Sequence, residues 1–190
     1  YLGTAAPAAN DNSVTGSFLG VDPTGTVAAP NTGNGVVILN GEGNQIGGPG
    51  PHDGNVISGN LHYGVWIVGN SVAWPAPGEP PIFTDNPDQF RYVGNTVAGN
   101  TIGLGSDGSM EIGNGAAGVF IQNSAKNRIG GNSFVERNVI SANLGAGIDV
   151  RGEASTGNRI QANYIGTDAL GENARGNRDI GIHFNFGAAF

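Results

Sequence analysis

Short apolar triplets punctuated by Gly and Asn recur along this chain at fixed offsets. A Gly-β-branched-x-apolar motif stands at Gly35-Val-Val-Ile38, Gly64-Val-Trp-Ile67, Gly118-Val-Phe-Ile121, Gly147-Ile-Asp-Val150 and Gly181-Ile-His-Phe184. An Asn-x-apolar motif starts at Asn12, Asn44, Asn95, Asn127 and Asn158, and a third apolar column reads Leu19, Ile57, Ile102, Ile140 and Ile165. Each triplet alternates inward and outward positions and ends at a turn residue, which is the pattern of a short strand. No stretch sustains a helical period.

The spacings show how the strands are organised. From Asn95 to Asn158 is 63 residues, as is Gly118 to Gly181; from Asn12 to Asn95 is 83, as is Gly35 to Gly118. The difference of 20 marks an insertion between Asn70 and Asn95. Without it the coil is about 31 residues and the repeat unit is two coils, so Asn55-Val-Ile-Ser-Gly-Asn60 answers Asn138-Val-Ile-Ser-Ala-Asn143. A fixed period of this kind is the signature of a solenoid. The expectation is an all-β, right-handed parallel β-helix of about five coils with three short strands each. It is a single domain over residues 1–190 with an inserted loop at about 71–92. Handedness follows from the general rule for parallel crossovers. Val36, Val65, Val119, Ile148 and Ile182 then form one interior column, and Ile38, Ile67, Ile121, Val150 and Phe184 its neighbour. Asn at the turns is expected to form ladders from coil to coil.

Composition agrees with a turn-rich repeat: 35 of 190 residues are Gly and only 12% are charged. A net charge of −7 argues against nucleic-acid and anionic membrane partners. No apolar run is long enough to insert in a membrane as a helix, and the absence of Cys leaves no disulfide or thiolate chemistry. The chain opens at Tyr1 with neither Met nor a signal-peptide pattern, which fits a processed product or a piece of something longer.

The motifs Asn55-Val-Ile-Ser-Gly-Asn60, Asn138-Val-Ile-Ser-Ala-Asn143 and Tyr164-Ile-Gly-Thr-Asp168 resemble repeats of the right-handed parallel β-helix (pectate-lyase-like) superfamily, in its secreted or surface bacterial form. The resemblance covers nearly the whole chain and is specific for fold only, because this scaffold hosts enzymes, adhesins and fibres alike. It implies that a site, if present, lies on the outer face of one sheet. The outward column of the Gly-V/I-x-I strands is Val37, Trp66, Phe120, Asp149 and His183. Asp149 and His183 are the candidate acid–base pair, and Trp66 with Phe120 the candidate sugar platform. A lone pair lacks the second carboxylate of glycoside hydrolysis, so these are read as ordinary exposed residues of a sheet. The signatures of pectate lyases, polygalacturonases and alginate epimerases are not present in the sequence. His52-Asp53 is read as a surface turn, Arg128 and Arg159 as stacked, solvated outward residues, and Asp22 and Asp168 as turn formers. No pattern for a metal or other cofactor stands out.

The insertion carries Pro75, Pro77, Pro80, Pro81 and Pro87 with Trp74, Phe83, Phe90 and Tyr92. It is expected to leave the coil as a loop, with these aromatics as further ligand-binding candidates. Neither end of the repeat shows a polar or helical cap, and open ends invite pairing. The functional expectation is a non-catalytic structural protein, extracellular or on the cell surface: a segment, or a subunit self-associating head to tail, of a filament, stalk or adhesin. The alternatives are a polysaccharide lyase, hydrolase or epimerase, or a carbohydrate-binding module.

Overall fold

A computed structural model describes residues 9–69 and 94–185. Its strands wind through five coils. The first coil is β1 (Ser13–Val14), β2 (Phe18–Leu19) and β3 (Val36–Leu39); the second is β4 (Gln45–Gly47), β5 (Val56–Ile57) and β6 (Val65–Val68). The third is β7 (Thr96–Ala98), β8 (Thr101–Ile102) and β9 (Val119–Gln122); the fourth is β10 (Arg128–Gly130), β11 (Val139–Ile140) and β12 (Ile148–Arg151). The fifth is β13 (Arg159–Gln161), β14 (Tyr164–Ile165) and β15 (Ile182–Asn185). Every third strand pairs in parallel, giving three five-stranded sheets: β1-β4-β7-β10-β13, β2-β5-β8-β11-β14 and β3-β6-β9-β12-β15. This is a parallel β-solenoid. Among the described residues the one helical element is a 3₁₀ turn, Phe134–Glu136.

The register puts identical positions of the repeat on top of one another. Val36, Val65, Val119, Ile148 and Ile182 are successive partners in the third sheet, followed two residues on by Ile38, Ile67, Ile121, Val150 and Phe184. Inside the stack, Ile57, Ile67, Ile102, Ile121, Ile129, Ile140 and Ile148 are fully buried. Each contributes about 1.5–3 kcal/mol of hydrophobic stabilisation. The same columns reach solvent in the fifth coil, where Ile182 and Phe184 are exposed.

Three asparagine ladders hold the corners. Asn12, Asn44, Asn95, Asn127 and Asn158 form one, with each Nδ2–H donating to the Oδ1 of the next coil at 2.8–3.1 Å. Asn55, Asn100, Asn138 and Asn163 form the second, with Ser17 in the first-coil position, its N–H donating to Asn55. Asn31, Asn60, Asn114, Asn143 and Asn177 form the third. Every rung points the same way, donor in one coil and acceptor in the next. The second Nδ2–H reaches back to a carbonyl of the previous coil, as from Asn100 to Ile46 and from Asn114 to Ile57. Buried amides are therefore satisfied, as a packed interior requires.

The two-coil period has a physical origin in the corners. Between the first and second sheets, odd coils turn on one residue (Gly16, Gly99, Ala162), whereas even coils carry seven-residue loops, 48–54 and 131–137. Between the second and third sheets the pattern inverts. Even coils turn on Ser58-Gly59 and Ser141-Ala142, and odd coils extend hairpins closed by the antiparallel bridges Val21–Ala28, Leu104–Glu111 and Thr167–Ala174. The hairpins cover the outer face of the second sheet, where Val56 packs with Val21 and Ile112, and Val139 with Leu104 and Ala142.

Candidate functional site

The outward column of the third sheet is assembled as the alternation implies: Val37, Trp66, Phe120, Asp149 and His183 are in-register partners on β3, β6, β9, β12 and β15. Val37 is exposed as expected, but at two of the five positions exposure corrects the expectation of an ordinary surface residue. Phe120 and Asp149 are each only 5% exposed, although both point away from the core. Their cover is Tyr63, whose ring stacks on Phe120 at 4.7 Å between centroids, and Arg151, whose guanidinium lies 5.6 Å from the Phe120 ring. Trp66 completes the cluster, 6.1 Å from Phe120 and 5.9 Å from Tyr63. Its indole N–H is buried and finds no acceptor among the described residues. Phe120 is thus covered, whereas Trp66 and Tyr63 are each partly exposed.

Asp149 and His183 do meet, Oδ1 to Nδ1 at 3.2 Å. The carboxylate is also gripped by its own strand. Arg151, two residues on and on the same face, donates from Nε to Oδ1 at 3.1 Å and pairs through its terminal nitrogen with Oδ2 at 2.6 Å. A bidentate fork of this kind is the strong form of an ion pair, and Asp149 in turn raises the Arg151 pKa. Both oxygens of the Asp149 carboxylate are therefore engaged. Among the described residues no group of three or more His, Asp or Glu is placed to hold a metal ion. Tyr63 and Arg151 were missed by the sequence reading. Arg151 carried a usable signal, since it shares parity with Asp149 on one strand; Tyr63 sits in a corner and carried none.

Arg128 and Arg159 are register partners on the first sheet, but Arg128 is not simply solvated: it forms an ion pair with Glu136 in the loop 131–137. Glu136 also accepts from Asn132 N–H and Ser133 Oγ. Chiefly through the Arg128 bond, its pKa falls to about 2. Asp53 closes the equivalent loop by accepting from Gly50 N–H at 2.8 Å, so His52-Asp53 belongs to a surface turn. Asp22 and Asp168 are the turn formers of their hairpins, accepting backbone N–H from Thr26 and Val27 and from Glu172. A groove of about 490 Å³ runs between the two even-coil loops. Gly48, Gly50, His52, Gly54, Gly99 and Val135 are among the residues that line it. Trp74, Phe83, Phe90 and Tyr92 lie outside the described residues.

Comparison with known protein families, with curated proteins and with solved structures finds no match to this chain.

Proposed function

We propose that this chain is a non-catalytic structural β-solenoid, a segment of an extracellular or cell-surface filament, stalk or adhesin that continues along its axis through further coils. The observation that carries the reading is the set of three asparagine ladders. They run through the described coils with every rung oriented alike, so each coil is at once acceptor for one neighbour and donor to the next. Such an arrangement has no natural stopping point, and a contact of this kind propagates rather than closes. Membership of the pectate-lyase-like superfamily, with the right-handed winding that goes with it, belongs to the same proposal and rests on the sequence motifs. The state of Asp149 supports the non-catalytic part, because its carboxylate is already bound by Arg151 and His183.

A second reading, carbohydrate binding, is favoured by one observation: the adjacent, partly exposed rings of Trp66 and Tyr63. Tyrosine and tryptophan present apolar faces with a polar handle, which suits a sugar ring. Electron microscopy of the native material, with antibody to this chain, tests the first reading; labelled rods on the cell exterior are expected. Cleavage of an acidic or neutral polysaccharide that disappears in Asp149→Asn overturns it. Saturable sugar binding lost in Trp66→Ala, without cleavage, moves the function to the second.

A further inference from the structure

The hairpins of the odd coils limit which coil can stack on the solenoid. The hairpin of the first coil and that of the third already touch, although a whole coil separates them: Ser106 N–H donates to Gly25 O at 2.9 Å. The third and fifth do the same through Ala169 N–H and Gly108 O, also at 2.9 Å. A Cβ added at Gly108 would stand 2.4 Å from the Ala169 Cβ. Each hairpin thus fills a space two coils deep, about 9.6 Å at the usual strand spacing. Two odd coils placed directly on one another would force their hairpins into half that depth.

The exposed side of the fifth coil also carries a positive requirement. Gly16 and Gly99, the one-residue corners of the first and third coils, donate their N–H to Asp53 O and Glu136 O, the acidic residues of the even-coil loops above them. Ala162 is the same corner in the fifth coil, with the same left-handed backbone (φ 52° against 57° and 73°). Its N–H has no acceptor among the described residues. Asn163 and Asn177 each spend one Nδ2–H on the fourth coil, at Ile129 O and Ile140 O, which leaves the second Nδ2–H of each for a following coil, and Ile182 and Phe184 leave apolar surface beside them.

We infer that the partner of this face is a coil of the even type, with a tight Ser-x-Asn corner where odd coils have a hairpin and an acid-closed seven-residue loop over Ala162. The inference rests on the axial reading above and narrows it. A second copy presenting its first coil does not fit, because the hairpins at 21–28 and 167–174 would then lie one coil apart. Two fifth coils face to face do not fit either, because ladder donors would meet donors. The filament therefore grows by coil pairs, and the five described coils are joined to their neighbour through an even coil rather than by direct stacking of fifth coil on first.

The test extends the full chain after Asn185 by one coil. One variant receives a copy of residues 123–151, the even type; another receives a copy of 152–185, the odd type. A third receives the odd copy with its hairpin, 166–176, replaced by Ser-Ala. Thermal unfolding and limited proteolysis are read for each. The even copy is expected to raise the unfolding midpoint by about 5 °C and to resist protease. The odd copy is expected to be trimmed back with the midpoint unchanged, and removal of its hairpin to restore protection. An intact odd copy docking as well as the even one overturns the inference while leaving axial continuation standing. Digestion of all three added coils overturns axial continuation itself, and the inference with it.

Discussion

Asn100 is enclosed by the solenoid, and its side chain is saturated from both directions. Its Oδ1 accepts the N–H and the Nδ2–H of Asn55 at 3.1 and 2.9 Å, while its Nδ2 donates to Ile46 O and to Asn138 Oδ1. Replacing it with Ala strands those partners without water, at about 1–3 kcal/mol for each group left unsatisfied. Asn100→Ala is expected to lower stability by about 3 kcal/mol in denaturant titration. Asn100→Asp behaves differently. It keeps the acceptor for Asn55 but sets a carboxylate against the carbonyl oxygens of Ile46 and Asn138. Only the protonated acid can donate there, so the folded state raises the pKa of the new group. The variant is expected to regain stability as pH falls through the carboxylate range, where an ordinary protein loses it. Asp149 gives the contrasting case: Asp149→Asn breaks the fork to a half-exposed Arg151 and should cost about 1–2 kcal/mol by the same measurement.

At the level of strands and corners, sequence and structure part company in an instructive way. The interior columns could be read directly, because parity within a triplet and the 63-residue offset are properties of the chain itself. Every register pair predicted for the third sheet is present. The burial of Phe120 and Asp149 could not be read so, because it depends on Tyr63 from a corner and on Arg151 curling back over its own strand, not on the strand pattern. The alternation of the corners was visible only as a two-coil period; its cause, hairpins and loops each leaning over a neighbouring coil, needed three dimensions. The loop 131–137 offers a pH test. Glu136 is depressed in the folded state from an ordinary value of 4.5 to about 2, with Arg128 first among the causes. Its contribution is therefore complete above about pH 4.5 and lost as pH falls towards 2. Protease cutting in 131–137 should rise across that window, and Glu136→Gln should show the cutting already at neutral pH. The insertion makes an independent test. The strands on either side of it, β6 and β7, each pair with a neighbour above and below. Deleting 71–92 is thus expected to leave the β signature in circular dichroism unchanged, and a collapse of that signature would make the segment part of the core.

Seen whole, the described solenoid is a short rod, about 24 Å along its axis at the usual spacing of five coils, and its charge is unevenly spread. The first three coils contain no Lys or Arg among their described residues, only acids such as Asp11, Asp22, Glu42 and Asp107. The seven described cations all lie between Lys126 and Arg178. The uniform direction of the asparagine rungs has a mechanical consequence. Tension applied from end to end loads the rungs and the sheet hydrogen bonds along their own length, and an outermost coil has neighbours on one side only. Under a pulling force the rod should come apart by peeling, a coil at a time, each step releasing about 31 residues or roughly 100 Å of extended chain while the coils beneath stay wound. A filament made this way would yield gradually under load and rewind from whatever coils remained.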